Sequence, residues 1–149
     1  MAEGRTVFRP RRARQVIYPC VVLVVLALIG GAVTLPTSGR HAWGVGSRLS
    51  LVVFALAVAW FLYRLASVRV VAEESGVTVV NILRSRRLEW AEIVGVRLLR
   101  DDAWMMLDLS DGESMAAMGV QKSDGTHARE QAREFARMVN EHTRTPRDD

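Results

Sequence analysis

Hydrophobic positions fall into three regimes along the chain. From Val16 to Leu35 runs VIYPCVVLVVLALIGGAVTL, twenty residues without a charge. At ~1.5 Å rise per residue a helix of that length spans about 30 Å, the hydrocarbon thickness of a bilayer. Twelve of the twenty are Val, Ile or Leu, each favouring insertion by about 0.3–0.6 kcal/mol near the centre of a span. Pro19, Gly30, Gly31 and Thr34 lie toward the ends. A buried globular helix would show a polar face; a secretory signal would be shorter and followed by an A-x-A-like site. The second run, LSLVVFALAVAWFLY from Leu49 to Tyr63, has fifteen residues. It reaches spanning length by extending over Arg48 or Arg64, either of which can snorkel to the headgroups. Trp43, Trp60 and Tyr63 stand where interfacial aromatics sit, and the Gly-rich connector Pro36 to Arg48 suits the turn of a hairpin. The pattern predicts two transmembrane helices, at about 16–35 and 45–65, within an anchor covering 16–66.

After Ala66 the period shortens. VRVVAE (Val68 to Glu73), the turn Glu74-Ser75-Gly76 and VTVVNIL (Val77 to Leu83) form a hairpin pattern rich in β-branched residues. A third strand is expected around Leu88 to Trp90 and a fourth over Ile93 to Leu99. Trp104 to Ser110 and Glu113 to Val120 flank Asp111-Gly112, a strong hairpin signal. That makes six strands, or seven if one bends. Ser123-Asp124-Gly125-Thr126 then supplies turn and cap residues. From Thr126 to about His142, Ala128, Ala132, Phe135, Ala136 and Val139 form one helical stripe, with Arg129, Glu130, Arg133, Glu134 and Arg137 on the other faces. This helix must bury its stripe against the open end or edge of the sheet. Thr143 to Asp149 is expected to be a flexible tail.

Charge adds an orientation. The formal net charge is +4, and Lys122 is the only lysine. Arg5, Arg9, Arg11, Arg12 and Arg14 precede the first apolar run, the connector holds Arg40 and Arg48, and Arg64 and Arg69 follow the second run. The bias of arginine toward the inner face predicts a multi-pass cell-membrane protein with both termini cytoplasmic, residues 1–15 forming a basic cytoplasmic N-terminus. In the second half arginine interleaves with Glu and Asp, which argues against nucleic-acid binding. Cys20, the single cysteine, lies in an apolar run and excludes an intrachain disulfide.

The order of these features carries a resemblance. Gly76-Val77, Trp90 with Ile93 in a Trp-x-x-Ile motif, Trp104, Asp111-Gly112 and Ala128 resemble the bacterial pleckstrin-homology (PH) domain family of low molecular weight protein antigen six, over about Arg69 to Glu141. Members are similar in carrying one or two membrane helices ahead of the domain. The resemblance implies an α+β architecture: a transmembrane hairpin, then a PH-like six- to seven-stranded antiparallel β-barrel or sandwich over 67–142, capped by a C-terminal α-helix.

Candidate chemistry is sparse. His41, His127 and His142 are scattered, no Cys/His pair has zinc spacing, and there is no P-loop. Asp101, Asp102, Asp108 and Asp111 are read as turn and strand-face residues rather than a cation site. No catalytic residue, metal site, cofactor or small-molecule substrate is expected, and the chain is not expected to be an enzyme. Two binding readings remain. The first is a membrane-tethered interaction module that takes an unknown protein partner, or a second copy of itself, in a groove between helix and strand edge. The second is an anionic-lipid-binding domain using the loop Arg84-Ser85-Arg86-Arg87, whose guanidinium forks match phosphate oxygens. Trp90 is expected in the core, or as a partner contact if exposed.

Overall fold

The computed structural model describes residues 4–36 and 44–143. The expected hairpin turn with Arg40, His41 and Trp43, and the tail beyond Thr143, lie outside the described residues. The element order is β1 (Thr6–Phe8), α1 (Arg11–Thr34), α2 (Val45–Ala66), β2 (Arg69–Glu73), β3 (Gly76–Val80), β4 (Ser85–Leu88), β5 (Ile93–Arg97), β6 (Trp104–Leu109), β7 (Ser114–Gln121) and α3 (Thr126–Thr143). Short 3₁₀ turns at Trp90–Glu92 and Lys122–Asp124 precede β5 and α3. Two units result: residues 13–66, and a folded domain built from residues 1–12 together with 67–149.

In the first unit α1 and α2 are long and apolar enough to cross a membrane. Both begin or end close to the expected limits, except that α1 starts at Arg11 rather than Val16. Their apolar side chains point outward on all sides: Leu23, Leu26, Val33, Leu49, Phe54, Leu56 and Trp60 are each more than half exposed. The helices meet at Gly31, where an added Cβ would lie 3.9 Å from Leu51 Cδ2. The Arg48 guanidinium donates to the Leu35 carbonyl just past the end of α1, where backbone oxygens lack helical partners and a cation is favoured.

The domain comprises two antiparallel sheets, ordered β1-β2-β3-β4 and β5-β6-β7. They do not close into a barrel, so the sandwich form of the expectation is the one realised. The six strands expected after Ala66 are present. The seventh arises from no bend: it is β1, upstream of both apolar helices, pairing antiparallel with β2 as Thr6↔Ala72, Val7↔Val71 and Phe8↔Val70. The basic N-terminal segment is thus part of the domain rather than a separate tail. β4 also lies earlier than expected, at Ser85–Leu88, because Trp90 opens the 3₁₀ turn that carries the chain into the second sheet.

Alternation sets the core. In β6, Met105, Leu107 and Leu109 face inward while Met106 and Asp108 do not, as period two demands. Phe8 from β1 meets Phe135 of α3 edge-on, with ring centroids 5.7 Å apart. On α3 the buried stripe is Ala128, Gln131, Phe135 and Val139; Ala132 packs at its margin. β7 crosses β2 so closely that a Cβ on Gly119 would sit 2.6 Å from the Val70 backbone nitrogen. Glycine is required there by the close approach. The Asn81 side chain ties the sheets together, donating to the Ala116 carbonyl at 2.7 Å and accepting from the Met118 amide at 3.1 Å.

Candidate functional site

Strand register gathers the functionally suggestive residues at one end of the first sheet. Phe8 pairs with Val70, Arg69 with Val80, and Val80 with Ser85. Adjacent strands are ~4.8 Å apart, so the end of β1, the start of β2 and the β3–β4 connection are close neighbours. From this end the chain passes into α1 three residues after Phe8 and returns from α2 three residues before Arg69. Both connections to the apolar pair therefore leave the same end of the sheet.

The first connection is fastened. Asp124 is 6% exposed, and its carboxylate accepts from the backbone amides of Arg11 and Arg12 at 2.8 and 2.9 Å. The Arg12 guanidinium donates to the Ser123 carbonyl at 3.1 Å. Asp124 lies in the turn leading into α3, as expected, and its side chain in addition caps α1, satisfying two of the amides that a helix start leaves unpaired. Nothing in the sequence linked Asp124 to residues 11 and 12, which are more than a hundred positions away; the only upstream signal was the short run Thr6-Val7-Phe8 ending at Pro10.

The four residues singled out as contacts do not converge. Arg84 is exposed beside Leu83, itself 76% exposed, in the β3–β4 connection at the sheet end just described. Arg86 lies 3.6 Å from Asp111 and 3.8 Å from Glu113. Arg87, on the opposite face of β4, donates to Ser75 Oγ at 2.8 Å. Trp90 is 7% exposed; its indole donates to the Glu73 carbonyl at 2.9 Å, and its ring stacks on His142 at 4.3 Å. Trp90 is a core residue, and with Ile93 it shapes the turn between the sheets.

The carboxylates are dispersed. Asp108 pairs with Arg97 at 3.2 Å and accepts from Ser114. Asp102 accepts from the Leu99 amide and Asp111 from the Glu113 amide. Among the described residues no group of three His, Cys, Asp or Glu side chains is placed to hold a metal ion.

Residues 67–137 match the family model of the bacterial PH domain. Over that segment the chain is similar to the bacterial PH domain. The match begins at Ser67, so β1, which completes the first sheet of the PH domain, lies outside it. Over 123 residues the chain is 25% identical to an uncharacterized protein of Mycobacterium bovis and to uncharacterized proteins of two Mycobacterium tuberculosis strains, covering 82% of this chain and 80% of each relative. That coverage extends beyond the PH domain into the apolar helices. No solved structure matches the chain significantly.

Proposed function

We propose that this protein is a membrane-anchored, non-catalytic interaction module, whose PH domain is held at the cytoplasmic face by a two-span hairpin and takes a protein partner there. The observation that carries the reading is the pairing of β1 with β2 across α1 and α2. A domain assembled from strands on both sides of the hairpin requires both strands on one side of a membrane, hence an even number of crossings. The outward apolar surface of the two helices supports the same reading, since so large a patch in water would drive aggregation. The arginines ahead of α1 support a cytoplasmic domain.

The partner surface in this reading is the free strand edges. β4 presents Ser85, Arg86 and Arg87 as exposed residues on an unpaired edge, and Val94 of β5 is 65% exposed. Backbone groups on such edges can accept an added strand. A photo-crosslinking residue at Ser85 or Val94 of the full chain in native membranes should yield a discrete adduct, either a partner or a second copy. Only uncrosslinked monomer, across growth conditions, would remove the interaction reading.

The alternative, an anionic-lipid-binding PH domain using Arg84 to Arg87, gains support from the position of Leu83 and Arg84 beside both hairpin connections. It loses support from Arg86 and Arg87, which face different partners. Nanodisc binding by an Arg84→Glu chain separates the two: a lost preference for anionic lipid favours the lipid reading.

A further inference from the structure

The domain holds two tryptophans, Trp90 and Trp104, and they are partnered differently. The Trp90 indole is satisfied in the core by the Glu73 carbonyl. Trp104 stands on β6 with Met106 and Asp108, on the face opposite to Met105, Leu107 and Leu109. It is half-buried yet lies outside the core cluster, as do Met106 and Ala116. Among the described residues its indole takes part in no hydrogen bond or ring contact. Covered indole N–H groups usually have an acceptor, and tryptophans half-covered on a surface are enriched at interfaces. Register supplies the neighbours: Met106 pairs with Arg97 and Ala116, and Asp108 with Gly95 and Ser114. Asp108 carries the complementary surplus. Its Oδ1 accepts from Ser114 at 2.6 Å and lies 3.2 Å from the Arg97 guanidinium. Its Oδ2 lies over Gly95, where an added Cβ would stand 3.1 Å away, and takes no hydrogen bond among the described residues.

We propose that two copies of this chain meet through the outer face of β5-β6-β7, about a two-fold axis running across the strands above Met106, so that the Trp104 indole of each copy donates to Asp108 Oδ2 of the other. The face is complementary to itself. Trp104 and Asp108 each lie two residues from Met106, about 7 Å to either side along the strand, and a two-fold axis at Met106 exchanges the two places. A surplus donor then stands over a surplus acceptor twice, as an isologous contact requires. Between the pairs, Met106 meets its own copy beside Ala116, and methionine adapts to a flat apolar contact. Sheets packed face to face lie about 10 Å apart, a gap that an indole and a carboxylate side chain fill. Three strands and the six residues of β6 make a patch of about 15 by 20 Å. That is below the standard interface size, so the dimer is of the small, reversible class and the two charge-assisted hydrogen bonds decide its strength. The contact uses neither the strand edges offered above to a partner nor the apolar helices.

The test uses the full chain in a density-matched neutral detergent, where sedimentation across a concentration series measures a monomer–dimer equilibrium. Trp104→Phe keeps a ring and removes the N–H; Asp108→Ala removes the acceptor. A hydrogen bond to a charged group is worth about tenfold in association, and the symmetric dimer has two, so each variant should weaken the dimer about a hundredfold. Because both variants delete the same bonds, the double variant should be no weaker than either single one, while Arg137→Gln on α3 stays unchanged. The second measurement needs no loss of packing. In a Cys20→Ser chain in native membranes, Met106→Cys should be joined to a second copy by a short bismaleimide, and Thr78→Cys on the first sheet should not. Adding Trp104→Phe to the Met106→Cys chain should remove that adduct. A dimer indifferent to both variants, or additive losses in the double variant, overturns the proposal. So does a Met106→Cys chain that takes a monofunctional maleimide but forms no adduct, or forms one only with a different protein. Adducts at Ser85 or Val94 without one at Met106 keep the strand-edge reading and overturn this one.

Discussion

Asp124 and Gly119 do the most with the fewest atoms. The Asp124 carboxylate satisfies two backbone amides at the start of α1 from a position with almost no access to water. Asp124→Ala leaves both donors without that acceptor and should cost about 1–2 kcal/mol, measured as a lowered unfolding midpoint of the detergent-solubilised chain. Asp124→Asn keeps one oxygen and should cost less. At Gly119 the opposing atoms are Val70 and Arg69 backbone, not a flexible side chain, so Gly119→Ala cannot be absorbed by a rotamer change. We expect a loss of about 3 kcal/mol by the same assay, together with loss of near-ultraviolet dichroism as the sheets part. Phe8→Ala removes a fully enclosed ring that touches Phe135 and should cost about 3–5 kcal/mol. A smaller effect would mean that β1 is peripheral to the core.

At the scale of elements, the consequence of β1 is that the matched segment is not a complete folding unit. A fragment covering 67–149 lacks Phe8 and leaves the β2 edge unpaired, a site for aggregation. We expect it to precipitate or remain unfolded, whereas a chain in which residues 11–66 are replaced by a short Gly-Ser linker, joining β1 directly to β2, should be soluble and give dispersed amide resonances. Equal behaviour of the two would show that β1 contributes nothing. The comparison also marks where sequence reading succeeded. Alternation in β6, the Asp111-Gly112 turn and the stripe on α3 were legible because each repeats over several residues. β1 was not, since three residues cannot display a period. β4 was displaced because, at an exposed edge, only Leu88 of its four residues is buried. That shift had a cost for the site. With β4 at Ser85–Leu88, strand alternation itself sends Arg86 and Arg87 to opposite faces, so the arginine cluster was visible in the sequence but its dispersal was not. On α3 the buried stripe turned toward Gln131 because β5, β7 and the two short turns all contact the helix, a combination no local pattern encodes.

For the whole molecule, the anchored reading predicts sidedness, because the connections to α1 and α2 leave one end of the first sheet. Single cysteines introduced at Ala2 and at Ser110, in a Cys20→Ser background, should be labelled by a membrane-impermeant maleimide from the same side, and one at Ser38 from the other. Labelling of Ala2→Cys and Ser110→Cys from opposite sides would contradict the β1–β2 pairing outright.

The order of synthesis gives the β1–β2 pair one more consequence. The first strand leaves the ribosome before either greasy segment and has no mate until both have been made. If only one of them were threaded into the bilayer, the two strands would be stranded in different compartments and the sandwich would stay open along one edge. In the anchored reading, completion of the soluble fold therefore reports successful insertion, and a half-inserted chain would expose the raw strand edge on which cellular proteases and chaperones act.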